Sequence, residues 1–406
     1  MNAKFTDHVE KLMQGNRRVS GDFMYTVPSP EHYPFQWFWD SCFHSIILSH
    51  LDSTLAQNEL RSVLAKPLAN GLIPHMIYWD EAYQTIKWGR ENEGDVLTQA
   101  WGTVGVSSIT QPPLLATAIW HLHTRTHDIA FLNEIYPAVR AYYLCLLTER
   151  NYSGHGLLGI INPDESGEDN SPRFDVLQGL TSKQTPAESL HRRIDRVREH
   201  AACHFEVQKC TRHHFWVEDV SFNAICLRSL EALSSIAREI GEANEADVFS
   251  LCAKQMKASM QLHMGIGCWY YSLQGEDQEK VLIETWGLFM PLYAGILHKE
   301  EAKILVEKYL LNKDKFFTQF PIPSVSHHEQ TYTNDDLWRG PTWTAINWFI
   351  YKGLKDYGFH DLAATIKEKT VGLITISGFR EFYDARSGKG HGAHDFTWGG
   401  LILDME

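Results

Sequence analysis

The chain has 406 residues, 44% of them apolar, enough for one sizeable core, although length alone also allows two domains. Lys and Arg number 37 against 50 Asp and Glu, a net charge of −13, which excludes general electrostatic attraction to nucleic acid or anionic lipid and leaves only local basic spots for a small anion. Residues 1–18 lack the apolar core of a secretory signal and no later stretch approaches a membrane span, so a cytoplasmic protein is expected.

In chain order, apolar residues recur at three- and four-residue intervals over residues 40–51, 54–64, 113–124, 130–148, 220–240, 243–264, 284–297, 302–311, 341–357 and 361–376, and each stretch predicts a helix. Short connections such as Gly241-Glu242 predict hairpin pairs packed antiparallel. Strand signals are brief, at 269–273 and 382–383, so the expected fold class is all-α: an α/α toroid of inner helices around a cavity and outer helices covering them. The whole chain, 1–406, reads as one domain. Residues 178–212 are the least core-like, rich in Arg, His and Glu, and predict an excursion that serves as a lid or as a solvated charged face.

Among the seven cysteines, Cys42, Cys145, Cys226 and Cys252 fall inside apolar helical patterns, where a thiol acts as a small buried hydrophobe. All seven are expected to be reduced. Cys203 and Cys210 lie near His204, His213 and His214, but the spacing fits no zinc pattern, so no metal is expected. The absence of a phosphate-binding or dinucleotide fingerprint argues against a nucleotide cofactor, and no cofactor is expected.

The segment 163–175, PDESGEDNSPRFD, packs five carboxylates around one Gly, two Pro and one Arg with no helical or strand period. Carboxylates crowded in a partly buried loop raise one another's pKa, which suits a proton donor; the plain alternative is a solvated acidic turn. Aromatics cluster beside polar residues at Phe35 to Asp40, Tyr78-Trp79-Asp80, Lys87-Trp88, Trp338 to Trp343 and Phe396 to Trp398. A pyranose needs that mixture, flat faces for its C–H groups and fixed partners for its hydroxyls, although any single Trp serves equally well as core. A second acidic loop, 378–388, contains Glu381 beside Arg380, whose charge favours an ionised carboxylate. Two such loops fit hydrolysis of a glycosidic bond by a carboxylic acid and a carboxylate.

These residues carry a resemblance. The blocks Gln36 to Ser41, Gly71 to Met76, Ile109 to Pro113 and Glu165 to Arg173, followed by Trp338 to Pro341 and Phe396 to Trp398, are similar over most of the chain to glycoside hydrolase family 63. The short members that hydrolyse mannosylglycerate or glucosylglycerate are the nearest in kind. The resemblance implies an (α/α)6 barrel and an inverting mechanism. It implies Asp169 as general acid and Glu381 as general base, with Asp395 as the fallback base, because related trehalases carry their glutamate just before the final aromatic motif. Inversion places the two carboxyl groups roughly 6.5–9.5 Å apart, with room for water.

Asp40 matches a carboxylate that positions the water, or else caps a helix. Trp37, Trp39, Tyr78, Trp79, Gln111, Arg173, Trp338 and Arg339 are the candidate sugar contacts. Gln111 serves equally as a turn residue, Arg339 as half of an ion pair, and Glu284 as a helix-dipole partner. An anionic aglycone needs Tyr, Lys or Arg donors, drawn from Tyr78, Lys87, Arg90 and the arginines between Arg192 and Arg212. The expected partner is a small-molecule glycoside, with no nucleic acid or membrane, and exposed apolar helix faces are compatible with a homo-oligomer. Two alternatives remain open: a sugar epimerase using His75, His391 or His394 for proton transfer, and a carbohydrate-binding protein without activity.

Overall fold

The computed structural model describes residues 3–80, 87–88, 95–96, 101–181, 185–210 and 215–406. Helices dominate, and no described strand exceeds the five residues of Gly390–His394. Helix Phe38–Ser49 packs on Leu115–Thr126, that on Val220–Glu239, that on Met290–Ala294, and that on Thr344–Asp356. The 3₁₀ helix Thr397–Asp404 follows, packing on Thr344–Asp356 on one side and returning to Phe38–Ser49 on the other. A second layer covers these elements: Ser53–Val63, Ile129–Glu149, Ala243–Ser259, His360–Ser377 and Ala3–Asn16 each lie against one of them.

Sequence chemistry accounts for both layers. Phe38–Ser49 is enclosed on every side, with residues 38–48 all buried, as a helix with apolar residues around its circumference requires. Its few polar groups are satisfied inside: Gln36 donates to Ser41 and Ser62, Ser41 donates to Glu59 at 2.6 Å, and His44 Nε2 pairs with Thr397 Oγ1 at 2.7 Å. Asp52, Asp128 and Asp219 begin the helices that follow them, each accepting from a backbone N–H of the first turn.

The differences from the periodicity reading have local causes. Residues 284–297 are not one helix but a 3₁₀ turn, Trp286–Phe289, and a short helix, Met290–Ala294, that ends where Gly295 turns left-handed. The helices expected over 243–264 and 302–311 finish as π turns, Met260–Met264 and Val306–Leu310. Two helices lie outside the stretches expected from period, Ala3–Asn16 and Pro186–Ala202, although Phe5, Val9, Leu12 and Met13 in the one and Leu190, Ile194 and Val197 in the other keep a helical spacing among many charged neighbours. The second has a legible start, the reciprocal capping of Thr185 and Glu188 with Pro186 in the first turn.

Cys203 and Cys210 are joined by a disulfide, their Cα atoms 5.8 Å apart at the end of the Pro186–Ala202 helix, which corrects the expectation that every cysteine is reduced. The other five are free, with Cys42, Cys145 and Cys226 buried. Among the described residues, no helix is long and apolar enough to cross a membrane.

Candidate active site

The five carboxylates of the 163–175 loop sort by partner. Three face inward. Glu165 is held by Arg150 through two contacts of 2.6 and 2.7 Å and accepts from the Thr110 and Ile161 amides. Glu168 meets Arg173 at 2.5 Å and the Trp286 indole N–H at 2.8 Å, and Asp175 accepts both arms of Arg339 at 3.0 and 2.9 Å. Fixed at three points, the loop turns its other two carboxylates, Asp164 and Asp169, toward a cavity of about 110 Å³, room for several waters or one small ligand. Asn162 caps the loop's first turn, and Gly167, at φ 72°, lies flat against the Trp39 indole, where any side chain would overlap the ring.

Glu381 enters the same cavity from the hairpin Arg380–Tyr383 with Gly390–His394, whose pairing register shifts at Glu381. That bulge, with Gly392 left-handed at φ 63°, aims the Ala393 N–H at Glu381 Oε2, 2.8 Å away. Tyr33 donates to Oε1 at 2.7 Å. Burial pushes the Glu381 carboxyl up to about 7, the two donors pull it down, and the charges of Asp169 and Asp40 add to the rise.

Asp40 lies in the first turn of Phe38–Ser49 but does not cap it; Trp37 holds the cap position, and Asp40 Oδ1 accepts from the Trp398 indole at 2.7 Å. Burial raises Asp40 to about 6. Asp169 is 29% exposed through the cavity while protein crowds its remaining sides, and this burial raises its pKa against the pull of Arg193. Arg193 Nη1 reaches Asp164 Oδ1 at 2.7 Å and Asp169 Oδ2 at 2.5 Å.

Aromatic rings form the walls. Trp338 and Trp343 stack at 3.9 Å with Trp398 tilted beside them, and Trp37, Trp39 and Phe396 complete the lining. Gln111 uses its oxygen to accept from the Trp39 amide at 3.2 Å, so its NH₂ is the end it offers a ligand. The Trp37 indole N–H is buried with no acceptor among the described residues, a donor available to a hydroxyl.

Of the residues singled out from sequence, the cavity thus gathers Asp169, Glu381, Asp40, Trp37, Trp39, Gln111 and Trp338. The structure puts six elsewhere. Arg173 is buried between Glu168 and Asp219, 2.5 and 2.7 Å away, and Arg339 is committed to Asp175 and the Asn170 carbonyl; both brace the acidic loop. Tyr78 is buried with its hydroxyl accepting from Trp101, and Trp79 stacks on Phe23 and Tyr25 under Lys66. Asp395, the fallback base, is exposed and faces a separate depression beside His8 and Lys11. Glu284 pairs with Lys315 at 2.6 Å, outside the cavity.

None of the three histidines named for proton transfer lines the cavity. His75 packs its ring edge-on to Trp37 and bonds Ser107, burial lowering it to about 3, and His391 and His394 lie on the outer strand beside Phe382 and Arg380. The side chain of Lys87, and Arg90, Arg212, His213 and His214, lie outside the described residues. Sequence reasoning missed Tyr33, which sits between prolines without a period, and did not separate Arg193 from its neighbouring arginines.

Comparison with known proteins gives a consistent result. Residues 33–399 match the family model described as the mannosylglycerate hydrolase MGH1-like glycoside hydrolase domain. The mannosylglycerate hydrolase of Thermus thermophilus is 27% identical, the alignment covering 97% of this chain and 98% of that protein. The glucosylglycerate hydrolase of Mycolicibacterium hassiacum is 26% identical over 93% of each. The crystal structure of a GH63 mannosylglycerate hydrolase from Thermus thermophilus in complex with Tris and D-glycerate superposes with a TM-score of 0.86 at 26% identity, covering 98% of both chains.

Proposed function

Because the chain belongs to the mannosylglycerate hydrolase MGH1-like glycoside hydrolases, and is a glycoside hydrolase, we propose that it cleaves an α-linked glucosyl- or mannosylglycerate with inversion. The observation that carries this reading is that Asp169 and Glu381, distant in sequence, line one small aromatic cavity. Asp169 protonates the glycosidic oxygen. Glu381 takes a proton from a water that attacks the anomeric carbon from the opposite face, and Asp40 holds that water. Tyr33 and the Ala393 amide orient the base. Trp39, Trp338 and Trp343 stack on the sugar, and Gln111 and the Trp37 N–H bind its hydroxyls.

Arg193 takes the glycerate carboxylate. It is the one arginine of the 192–212 stretch that lines the cavity among the described residues. Recruiting it to the substrate removes the cation that pulls the Asp169 pKa down and brings a new anion nearby, and both changes favour the protonated acid. The glycerate is thereby a requirement for turnover as well as for binding. Segment 178–212 then serves as a lid-like cover, and the chain as a single (α/α)6 catalytic domain in a cytoplasmic protein; the closed succession of helix neighbours supports the barrel.

Proton NMR of the fresh product tests the proposal. Glucosylglycerate and mannosylglycerate should each be compared with the neutral glucosylglycerol, trehalose, kojibiose and nigerose. Initial release of the β-anomer from a glycerate α-glycoside is the expected result, and α-anomer would overturn inversion.

A further inference from the structure

At the other end of the same helices lies a second group of chemistry-bearing side chains. His50 caps the C-terminal end of Phe38–Ser49, His121 is on Leu115–Thr126, and Asp404 ends the 3₁₀ helix Thr397–Asp404. Trp39 and Asp40 begin the first of these helices, and twelve residues of α-helix separate the two ends by roughly 18 Å. Nothing in the proposed reaction uses this group.

One ligand atom from each of the three residues lies within 4.8 Å of the other two. His50 Nε2 and His121 Nε2 approach the same oxygen, Asp404 Oδ1, at 3.0 and 3.2 Å. The His121 approach is short enough for a hydrogen bond but is not aligned as one, and its Nε2 is buried with no hydrogen-bond partner. The other carboxylate oxygen is occupied differently, accepting from the Trp348 indole at 2.8 Å and from Lys352 at 2.7 Å. Trp348 and Lys352 thus hold Oδ2, while Oδ1 faces two imidazoles, hydrogen-bonded to His50 Nε2 alone of the two.

The geometry points to a binding site for a divalent transition-metal ion, held by His50 Nε2, His121 Nε2 and Asp404 Oδ1 with water completing the shell. A tetrahedral zinc site with bonds of roughly 2.0–2.1 Å separates its ligand atoms by roughly 3.3 Å, close to the two spacings onto Asp404 Oδ1, 3.0 and 3.2 Å, with the two imidazole nitrogens within 4.8 Å of each other. Two imidazoles and one carboxylate select zinc, cobalt or nickel over calcium or magnesium. Lys352, paired to the same carboxylate, opposes any cation, so the two imidazole nitrogens have to supply most of the affinity. Trp348 and Lys352 fix the carboxylate from behind, as outer partners of metal ligands do. An ion here ties together the first, second and closing members of the helix succession, and its role is structural.

The test uses the purified full chain, stripped with EDTA and titrated with zinc chloride, alongside His50→Gln and His121→Gln. Both positions are partly exposed, so these variants are expected to fold. Calorimetry should find one zinc ion in the parent protein bound at least roughly tenfold more tightly than in either variant. The melting temperature should rise with zinc only in the parent, and cobalt should give visible d–d absorption that the variants lose. No binding, or binding and melting gains that are the same in all three proteins, overturns the site. Because the readout is metal affinity and melting, failure here leaves the hydrolase proposal untouched.

Discussion

The guanidinium of Arg193 lies 2.5 Å from Asp169, so the group assigned to donate a proton is paired with a cation before substrate arrives. If the substrate's carboxylate claims that cation, Arg193→Gln should raise KM for the glycerate glycoside about ten- to a hundred-fold, the worth of a charged hydrogen bond. Neutral glucosylglycerol, which leaves Arg193 on Asp169, should be turned over poorly by the parent and no worse, or better, by the variant. Equal losses on the two substrates would show that Arg193 only shapes the cavity.

Asp169→Asn and Glu381→Gln should each lower kcat by about 10²–10⁴-fold while circular dichroism shows the parent's fold retained. Asp395→Asn should keep parental turnover, since its carboxylate faces a different surface. Activity lost in the Asp395 variant and kept in Glu381→Gln would exchange their roles.

The pH profile follows from Glu381. A general base must be ionised, and burial raises Glu381 to about 7, so on the proposed assignment kcat/KM should fall as pH drops through that value. The Tyr33 hydroxyl stabilises the ionised form; removing it in Tyr33→Phe should move the acid limb to higher pH, and an unmoved limb would deny Tyr33 that role. The sign for stability is opposite. The folded pKa exceeds the ordinary value of 4.5, so the contribution of Glu381 is fully present below 4.5 and is lost as pH rises through about 7. Glu381→Gln should therefore gain melting temperature relative to the parent at pH 8 but not at pH 4.5.

Arg173→Leu should cost about 3–5 kcal/mol in urea unfolding, because Glu168 and Asp219 would stay buried without their shared cation. Were Arg173 a sugar contact instead, the loss would appear in KM at parental stability.

Gly167→Ala combines a left-handed backbone with a collision against Trp39, so it should cost about 1–3 kcal/mol and displace the acid two residues on. Unfolding curves and kcat, measured together, check both effects.

Much of this was legible in the sequence. Runs such as 220–240 show their period because the positions that reach solvent, Arg228, Glu231, Ser235, Arg238 and Glu239, recur along one face, and Asp40, Gln111, Asp169 and Glu381 stand in the motifs that carry the family resemblance. Arginine is where the reading divides. Arg173, Arg339 and Arg193 look alike along the chain, yet the first two neutralise carboxylates that fold inward and the third faces the cavity. Which way a carboxylate turns depends on contacts far away in sequence, such as Arg150 on Glu165 and Trp286 on Glu168, and a local pattern does not record them. Tyr33 went unnoticed and Trp79 reversed expectation for the same reason: a loop aromatic is placed by partners distant in sequence, Glu381 for the one and Phe23 and Tyr25 for the other.

The bond from Trp398 to Asp40 spans nearly the whole polypeptide. A ribosome must therefore deliver Trp398 before Asp40 acquires its partner, and until then the helix Phe38–Ser49 waits with one flank uncovered. Growing chains should stay inert until that moment, and a stop codon anywhere ahead of Trp398 should leave nothing active, however much of the helical framework has already assembled.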